Sequence, residues 1–362
     1  MLLEHTDKAG AKILISGGGR CNFTNLDVVP NRFLSDNPHF CTSALRRYTQ
    51  SDFIALVQRH GIAYHEKTLG QLFCDGSARA IVAMLEAECE AGGVDLRTRQ
   101  TITGVSRGDQ FRVQTNTGTF IAPSLVLATG GLSIPKMGAT GLAYDIAQRF
   151  GLRVTATLPG LVPFKGASLS SEVDAGLAGV ALEAIASFEK HNFRENILFT
   201  HRGLSGPAIL QISSYWRPSE AFHLDLLPDR DPMAFFIERK RTRPRAMAQT
   251  VLAEIMPARL AQSVAAEYLP AMEMANIPDR VFMTLAAQIK RWPVAPSGTE
   301  GYAKAEVTVG GIDTRELSSK TMEARAVTGL YAIGEAVDVT GWLGGYNFQW
   351  AWSSGWSAGQ AI

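Results

Sequence analysis

The residues with most chemistry to offer lie in "KILISGGGRCNFTN", Lys12 to Asn25, where three consecutive glycines run into Arg20, Cys21 and Asn22. A backbone without Cβ atoms can approach a phosphate or a flat ring, and successive N–H groups can form an anion-binding nest. A guanidinium beside it could neutralise phosphate or an anionic substrate. A thiol there could have its pKa lowered by the cation and the nest, or could simply pack. Two more glycine-dense stretches follow, "ATGG" (Ala128, Thr129, Gly130, Gly131) and "IGEAVDVTGWLGGYNFQWAWSSG". Any one of them could be a tight turn, because short glycine patterns recur by chance. Three together, each after a short strand-like run, point to one cofactor site. In the last, a strand ends on Gly334 and Glu335, so a carboxylate at a sheet's carboxyl edge can accept hydrogen bonds from sugar or sugar-alcohol hydroxyls. Gly344, Gly345, Tyr346 and Asn347 then open a helix whose free N–H groups could stabilise negative charge on a ligand. Trp350, Trp352 and Trp356 recur at helical spacing, which suits packing better than stacking on a ligand.

The elements that must position these groups can be read from the apolar pattern. Up to about Gly151, strand-like runs (Met1–Glu4, Lys12–Ile15, Ser124–Gly131) alternate with a helical stripe of Ile81, Leu85 and Cys89. Phe111–Thr115 and Phe120–Ile121 suggest a hairpin about Asn116, Thr117 and Gly118. This alternation predicts an α/β layered domain with a partly parallel sheet. From Leu152 a two-residue period sets in, as in Val180, Leu182, Ala184, Ala186 and Phe188, and predicts a strand-rich part. Pro207 is well placed to begin a helix. Asp231 to Pro293 reads as helical, with Pro257 and Pro278 at helix starts, and Ala305–Ile312 returns to strand.

The 362 residues allow two or three domains. With 46% hydrophobic and 19% charged residues the chain reads as an ordinary globular enzyme-like protein. The net charge of +1 gives no case for bulk electrostatic binding, so nucleic acid and membrane are not expected partners, and a small-molecule substrate is. Cys21, Cys41, Cys74 and Cys89 lie scattered without a CxxC pair, which argues against a metal site or disulfides and for a reducing cytoplasm. No apolar run approaches the ~20 residues of a membrane helix, and no signal peptide opens the chain.

"KILISGGGRCNFTN", "VLATGG", "FTHRGLSGPAIL" and "GLYAIGEAVDVTGWLGGYNFQWAWSSGWSAG" resemble the BaiN-like flavoprotein family, also described as aminoacetone-oxidase-type NAD(P)/FAD-dependent oxidoreductases, from Leu2 to Gly359. The resemblance implies FAD held non-covalently on a Rossmann-like α/β domain (1–151 and 325–362). A β-rich domain (152–230 and 294–324) and a small helical insertion (231–293) would interrupt it. It further implies hydride transfer through flavin N5, from NAD(P)H or an organic donor to an enone-like small molecule or oxygen. Carried over, it places Glu4 on the AMP ribose, and Ser16, Gly17, Gly18, Gly19, Arg20, Cys21 and Asn22 along the pyrophosphate and flavin. Ile102 would meet the adenine through its backbone, and Ala128 to Gly131 would pass near the dinucleotide. Gly334 and Glu335 would face the ribityl chain, and Gly345 to Asn347 the flavin ring. A strand and a GxGxxG turn are expected just before "LLEH", and the sequence shows the Rossmann-like fold without this first strand and helix. A start placed too late or a trimmed sequence is the favoured account; loss of the element, the alternative, would weaken the grip on pyrophosphate and expose neighbouring strand edges.

Candidates for acid–base or nucleophilic work are Cys21, Tyr346 and His201, the last with Arg202 beside it; each also has a purely structural reading. A flavoenzyme needs no protein acid or base for the redox step itself. The basic run "ERKRTRPR", with Arg239, Lys240, Arg241, Arg243 and Arg245, reads as a solvated helix end rather than a nucleic-acid contact, for it lacks interleaved aromatics. Two rivals to the oxidoreductase remain: a flavin-binding module acting on RNA through that run, and a cofactor-free remnant of the fold.

Overall fold

The computed structural model describes residues 1–166 and 176–362 and forms two compact units, Met1–Leu158 with Val307–Ile362, and Pro159–Glu306. The changes of texture put the breaks at 151 and 325, with the helical segment apart. The helices instead pack within the second unit: the Leu226 N–H donates to the Ile289 carbonyl (3.0 Å), and Lys290 pairs with Asp225 (2.6 Å).

In the first unit, Leu2–Leu3 runs parallel to Leu96–Arg97, and Leu125–Leu127 runs parallel to Leu330–Ala332. Both short pairs end at their carboxyl edges on segments singled out above: Glu4 in one case, Ala128–Gly131 and Gly334–Ala336 in the other. The hairpin at Asn116–Thr117 forms as its turn residues require, with Phe111–Thr115 paired antiparallel to Gly118–Ala122. Gln71–Cys74 lies between Tyr64–Glu66 and Asn22–Asn25 in an antiparallel sheet. Lys12–Ile15 is not a strand. It belongs to a five-residue helix, Ala11–Ile15, that follows Gly10 at φ +73°. A run of four mainly apolar residues fits either period, and here no neighbouring strand takes it up.

Helix Tyr346–Gly359 ties this unit together, and its tryptophans pack as their spacing suggests. Trp350 is buried and donates through Nε1 to the Gly334 carbonyl (2.9 Å), while Ser354 accepts the Gly334 N–H (3.0 Å). Trp352 donates to the Phe23 carbonyl (2.9 Å) and stacks on Phe53 with ring centres 4.5 Å apart. Phe53 is offered by helix Gln50–Arg59, which begins with a reciprocal Thr49–Asp52 cap.

One buried acid makes the unit's stability depend on pH. Asp338 is 4% exposed and accepts the Asp36 N–H at 3.2 Å. Burial, reinforced by the charges of Asp36 and Asp313 and opposed by Arg315 and the Asp36 bond, pushes its carboxyl up to about 6. A folded-state pKa above the unfolded value penalises the fold where the group is ionised, and that penalty fades as pH falls through about 6 toward 4. Asp338→Asn is therefore expected to stabilise the protein at pH 7.5, by on the order of 1–3 kcal/mol. It should also flatten the rise in melting temperature that the parent shows on acidification. An unchanged melt at pH 7.5 would refute the assignment.

The second unit is built on a five-stranded antiparallel sheet in the order Gly203–Ser205, His191–Thr200, Ala181–Phe188, Phe222–Asp225, Trp292–Val294. Ala184, Ala186 and Phe188 alternate into its core. Pro207 opens helix Pro207–Ser213, and Pro257 and Pro278 immediately precede helices Ala258–Tyr268 and Asp279–Lys290. Of the expected strand at Ala305–Ile312, Val307–Val309 forms a strand and Ile312 makes isolated bridges to Val154 and Val337. Among the described residues no helix is long and apolar enough to cross a membrane.

Candidate functional site

The glycine turn after Ile15 is packed on one side and open on the other. Gly17, Gly18 and Gly19 take φ of +56°, +67° and +84°, followed by Cys21 at +51°. Side chains bearing a Cβ resist this left-handed run by about 1–2 kcal/mol per residue. The turn is held from beneath by the Ala78 N–H on the Gly19 carbonyl (2.8 Å) and the Cys74 N–H on the Arg20 carbonyl (3.0 Å). A Cβ at Gly17 would lie 2.7 Å from the Phe73 ring, yet one at Gly18 or Gly130 would meet nothing within 4 Å. Bare backbone thus faces open space at both places. Arg20 is exposed there, and its guanidinium has no acidic partner among the described residues.

The third glycine segment closes on the first. Gly345, at φ +94°, lies so near Thr24 that a Cβ would come within 2.5 Å of the Thr24 carbonyl carbon and oxygen. The buried Thr24 hydroxyl donates to Gln349 Oε1 (2.6 Å), and the Asn25 amide donates to both the Leu69 carbonyl (3.0 Å) and the Gly344 carbonyl (2.9 Å). Asn22 lies against Gln71 at 3.2 Å.

The second segment is joined to the other two through Glu335. A Cβ on Gly131 would fall 2.8 Å from Glu335 Oε1, so the carboxylate rests on bare backbone. Glu335 Oε1 accepts the Thr308 N–H (2.8 Å) and the Ser133 hydroxyl (3.2 Å), and Oε2 receives Lys12 Nζ at 2.5 Å. Lys12 also donates to Ser133 (2.6 Å). One ion pair therefore bridges all three segments. Both carboxylate oxygens are already engaged, a constraint on the ribityl contact expected for Glu335.

Several expected roles change on this geometry. Cys21 is fully buried among Phe23, Phe53 and Cys74, and burial pushes its thiol up to about 12 against the opposing Ser16 bond, so neither Arg20 nor the nest activates it. Tyr346 is 5% exposed, edge-on to Phe33 in the core, rather than presented to a ligand. The Asn347 side chain is spent on the preceding turn, exchanging two 2.8 Å bonds with Gly341. His201 sits exposed in the short turn between His191–Thr200 and Gly203–Ser205 of the other unit, beside an Arg202–Glu300 pair at 3.1 Å. Glu4 ends its parallel strand as expected. Its Oε1 accepts from the Thr6 N–H and hydroxyl (2.8 and 2.9 Å), while Oε2 takes no hydrogen bond among the described residues. Ile102 begins the strand paired to Phe111–Thr115. A nearby cleft of about 390 Å³, lined by residues such as Lys8, Leu14, Arg79, Glu86 and Thr98, touches the first segment only at Leu14 and includes none of the glycines.

Lys12, Ser133 and Thr308 escape the reading of the sequence. Lys12 alone left a trace, as a lone charge in "AKILIS" that must find a partner. Ser133 and Thr308 carried no signal.

The parallel strand pairs and the bare-backbone segments at their carboxyl edges define a Rossmann-type site, and the chain belongs to the HI0933-like protein Rossmann domain family, whose profile matches residues 1–361. It is 53% identical over 367 residues to a protein of Escherichia coli named ribosomal RNA dihydrouridine synthase, covering 100% of this chain and 91% of that one. A Haemophilus influenzae protein of the same name is 46% identical over 368 residues, covering 100% of this chain and 92% of its own. At 27% identity over 378 residues (99% of this chain, 91% of the relative) stands the 3-dehydro-bile acid delta(4,6)-reductase of Clostridium scindens. All three are named as enzymes, and the chain takes its place among enzymes. The first two names overturn the expectation that nucleic acid is no partner. A net charge of +1 sums over the whole surface, whereas a nucleic acid is gripped by a few local cations. The basic run is not that grip in full: Arg239 and Arg243 pair with Glu254, and Lys240 pairs with Asp279 (2.7 Å).

Proposed function

We propose that this protein is a flavin-dependent reductase that converts uridine to dihydrouridine in ribosomal RNA, with a reduced nicotinamide as electron donor. The observation that carries the reading is the 53% identity, along the whole chain, to a protein of that name. The uracil C5=C6 bond is conjugated to the C4 carbonyl, so it is an enone-like acceptor of the kind the sequence led us to expect. Its reduction adds a hydride at one carbon and a proton at the other. FAD, when bound and reduced, supplies the hydride.

The residues present fit such a cofactor. Gly17 to Gly19 with Arg20 offer N–H groups and a cation to the pyrophosphate, and the unengaged oxygen of Glu4 suits ribose hydroxyls. Gly130 offers bare backbone beside the dinucleotide, and the helix start at Gly345 suits a partial negative charge. The substrate places the enzyme in the cytoplasm.

The test is direct. The purified protein should be yellow or take up added FAD. With NADPH or NADH it should add two hydrogens to a uridine of ribosomal RNA lacking the modification, read by mass spectrometry of the digested RNA. A colourless protein that refuses FAD ends the flavin reading. Unmodified RNA, together with reduction of a small conjugated enone, would put the small-molecule reductase in its place.

A further inference from the structure

A base inside a folded RNA must be unstacked before an enzyme can reach its ring atoms, and apolar side chains commonly hold open the gap left in the stack. One element beside the glycine segments is built for this. The hairpin Tyr64–Glu66/Gln71–Cys74 turns at Thr68–Gly70, closed by the Lys67 N–H on the Gln71 carbonyl and the Gln71 N–H on the Thr68 carbonyl (both 3.0 Å). At its tip Leu69 is 65% exposed and held at φ +52°, a left-handed conformation unusual for a large apolar residue. Leu26, 47% exposed, lies against the same turn.

The tip is fixed to the site. A single amide, that of Asn25, bonds both the Leu69 and the Gly344 carbonyls, so Leu69 stands two hydrogen bonds from the glycine pair that opens helix Tyr346–Gly359. Both cations and carboxylates stand around it. Glu66 is turned onto the Gly70 N–H (3.2 Å), and Asp75 is held by His65 (2.6 Å). Lys67 has no carboxylate partner among the described residues. Its ammonium lies 5.3 Å from the centre of the Phe73 ring, the same ring that packs under Gly17. Arg20, one strand away, adds a second exposed cation.

We propose that this hairpin tip is the RNA contact of the site: Leu69 is an apolar wedge beside the extruded uridine, and Lys67 holds a flanking phosphate. The inference rests on the reading above that the substrate base lies in RNA. Arg20 is left out of its test because the cofactor's phosphates also claim it.

The experiment uses the full chain as Leu69→Gly, which relieves the backbone while removing the wedge, and as Lys67→Ala. Each is assayed on a folded ribosomal RNA fragment and on a short single-stranded oligonucleotide carrying the same uridine. Both variants should bind FAD and oxidise the nicotinamide, with an artificial acceptor, as the parent does. Leu69→Gly should lose about tenfold or more in kcat/KM on the folded fragment and little on the oligonucleotide. Lys67→Ala should raise KM on both and flatten the dependence on salt. Equal losses of Leu69→Gly on the two RNAs, or none on the folded one, would overturn the wedge. A parent enzyme inactive on both RNAs would overturn the functional reading, and the wedge with it.

Discussion

Replacing Gly345 by alanine is expected to abolish flavin binding and to destabilise the first unit by at least about 3 kcal/mol. The new Cβ would lie 2.5 Å from the carbonyl carbon and oxygen of Thr24, backbone atoms that cannot turn aside as a side chain would. It would also have to sit at φ +94°. Relief requires moving the start of helix Tyr346–Gly359 away from strand Asn22–Asn25, and with it the Thr24–Gln349 and Trp352–Phe23 bonds. Gly18→Ala is the control. Its φ of +67° is strained too, but the space around it is open, so the fold should survive while flavin binds more weakly. Melting curves and flavin-fluorescence titrations of the two variants separate the cases. A Gly345→Ala protein that melts and binds like its parent would show that the helix is not seated as described.

The second large effect is expected at the Lys12–Glu335 pair. Glu335 is the less exposed partner, 18% against 41%, so the two truncations should differ. Lys12→Met strands a carboxylate that keeps only the Thr308 N–H and the Ser133 hydroxyl, and should cost about 1–3 kcal/mol. Glu335→Gln strands the more exposed ammonium and should cost less. The double variant should recover part of the Lys12→Met loss, a coupling of about 1 kcal/mol in a double-mutant cycle. Flavin affinity should fall in all three variants, because the pair fixes the first, second and third glycine segments to one another. Additive losses in the cycle would mean that the 2.5 Å contact does no such fixing.

The features that sequence made legible are those decided locally. The hairpin at Asn116–Thr117, the helix behind Pro207 and the glycine segments each follow from what a few neighbouring residues permit their backbone. The tryptophan spacing was legible for the same reason. Properties set by distant partners were not. Whether Lys12–Ile15 becomes strand or helix depends on a neighbour to pair with, and none is offered. The sequence leaves the Cys21 thiol between activation by Arg20 and simple packing, and the apolar shell of Phe23 and Phe53 decides for packing. The unit breaks depend on which helices cover which sheet, as the Leu226–Ile289 bond shows. The weight of "ERKRTRPR" depends on Glu254, in the turn after helix Ala248–Leu252, and on Asp279, at the start of helix Asp279–Lys290.

The Thr24–Gln349 bond spans 325 positions of the chain, and Trp352–Phe23 spans 329. During synthesis, then, the wall of the cradle waits for almost the entire polypeptide to leave the ribosome. The contiguous 159–306 segment has its own sheet and helices and can settle meanwhile. Contacts of such long loop closure are slow to form, so the nascent first unit spends that interval with its apolar strands uncovered, a client for chaperones until its last helix docks.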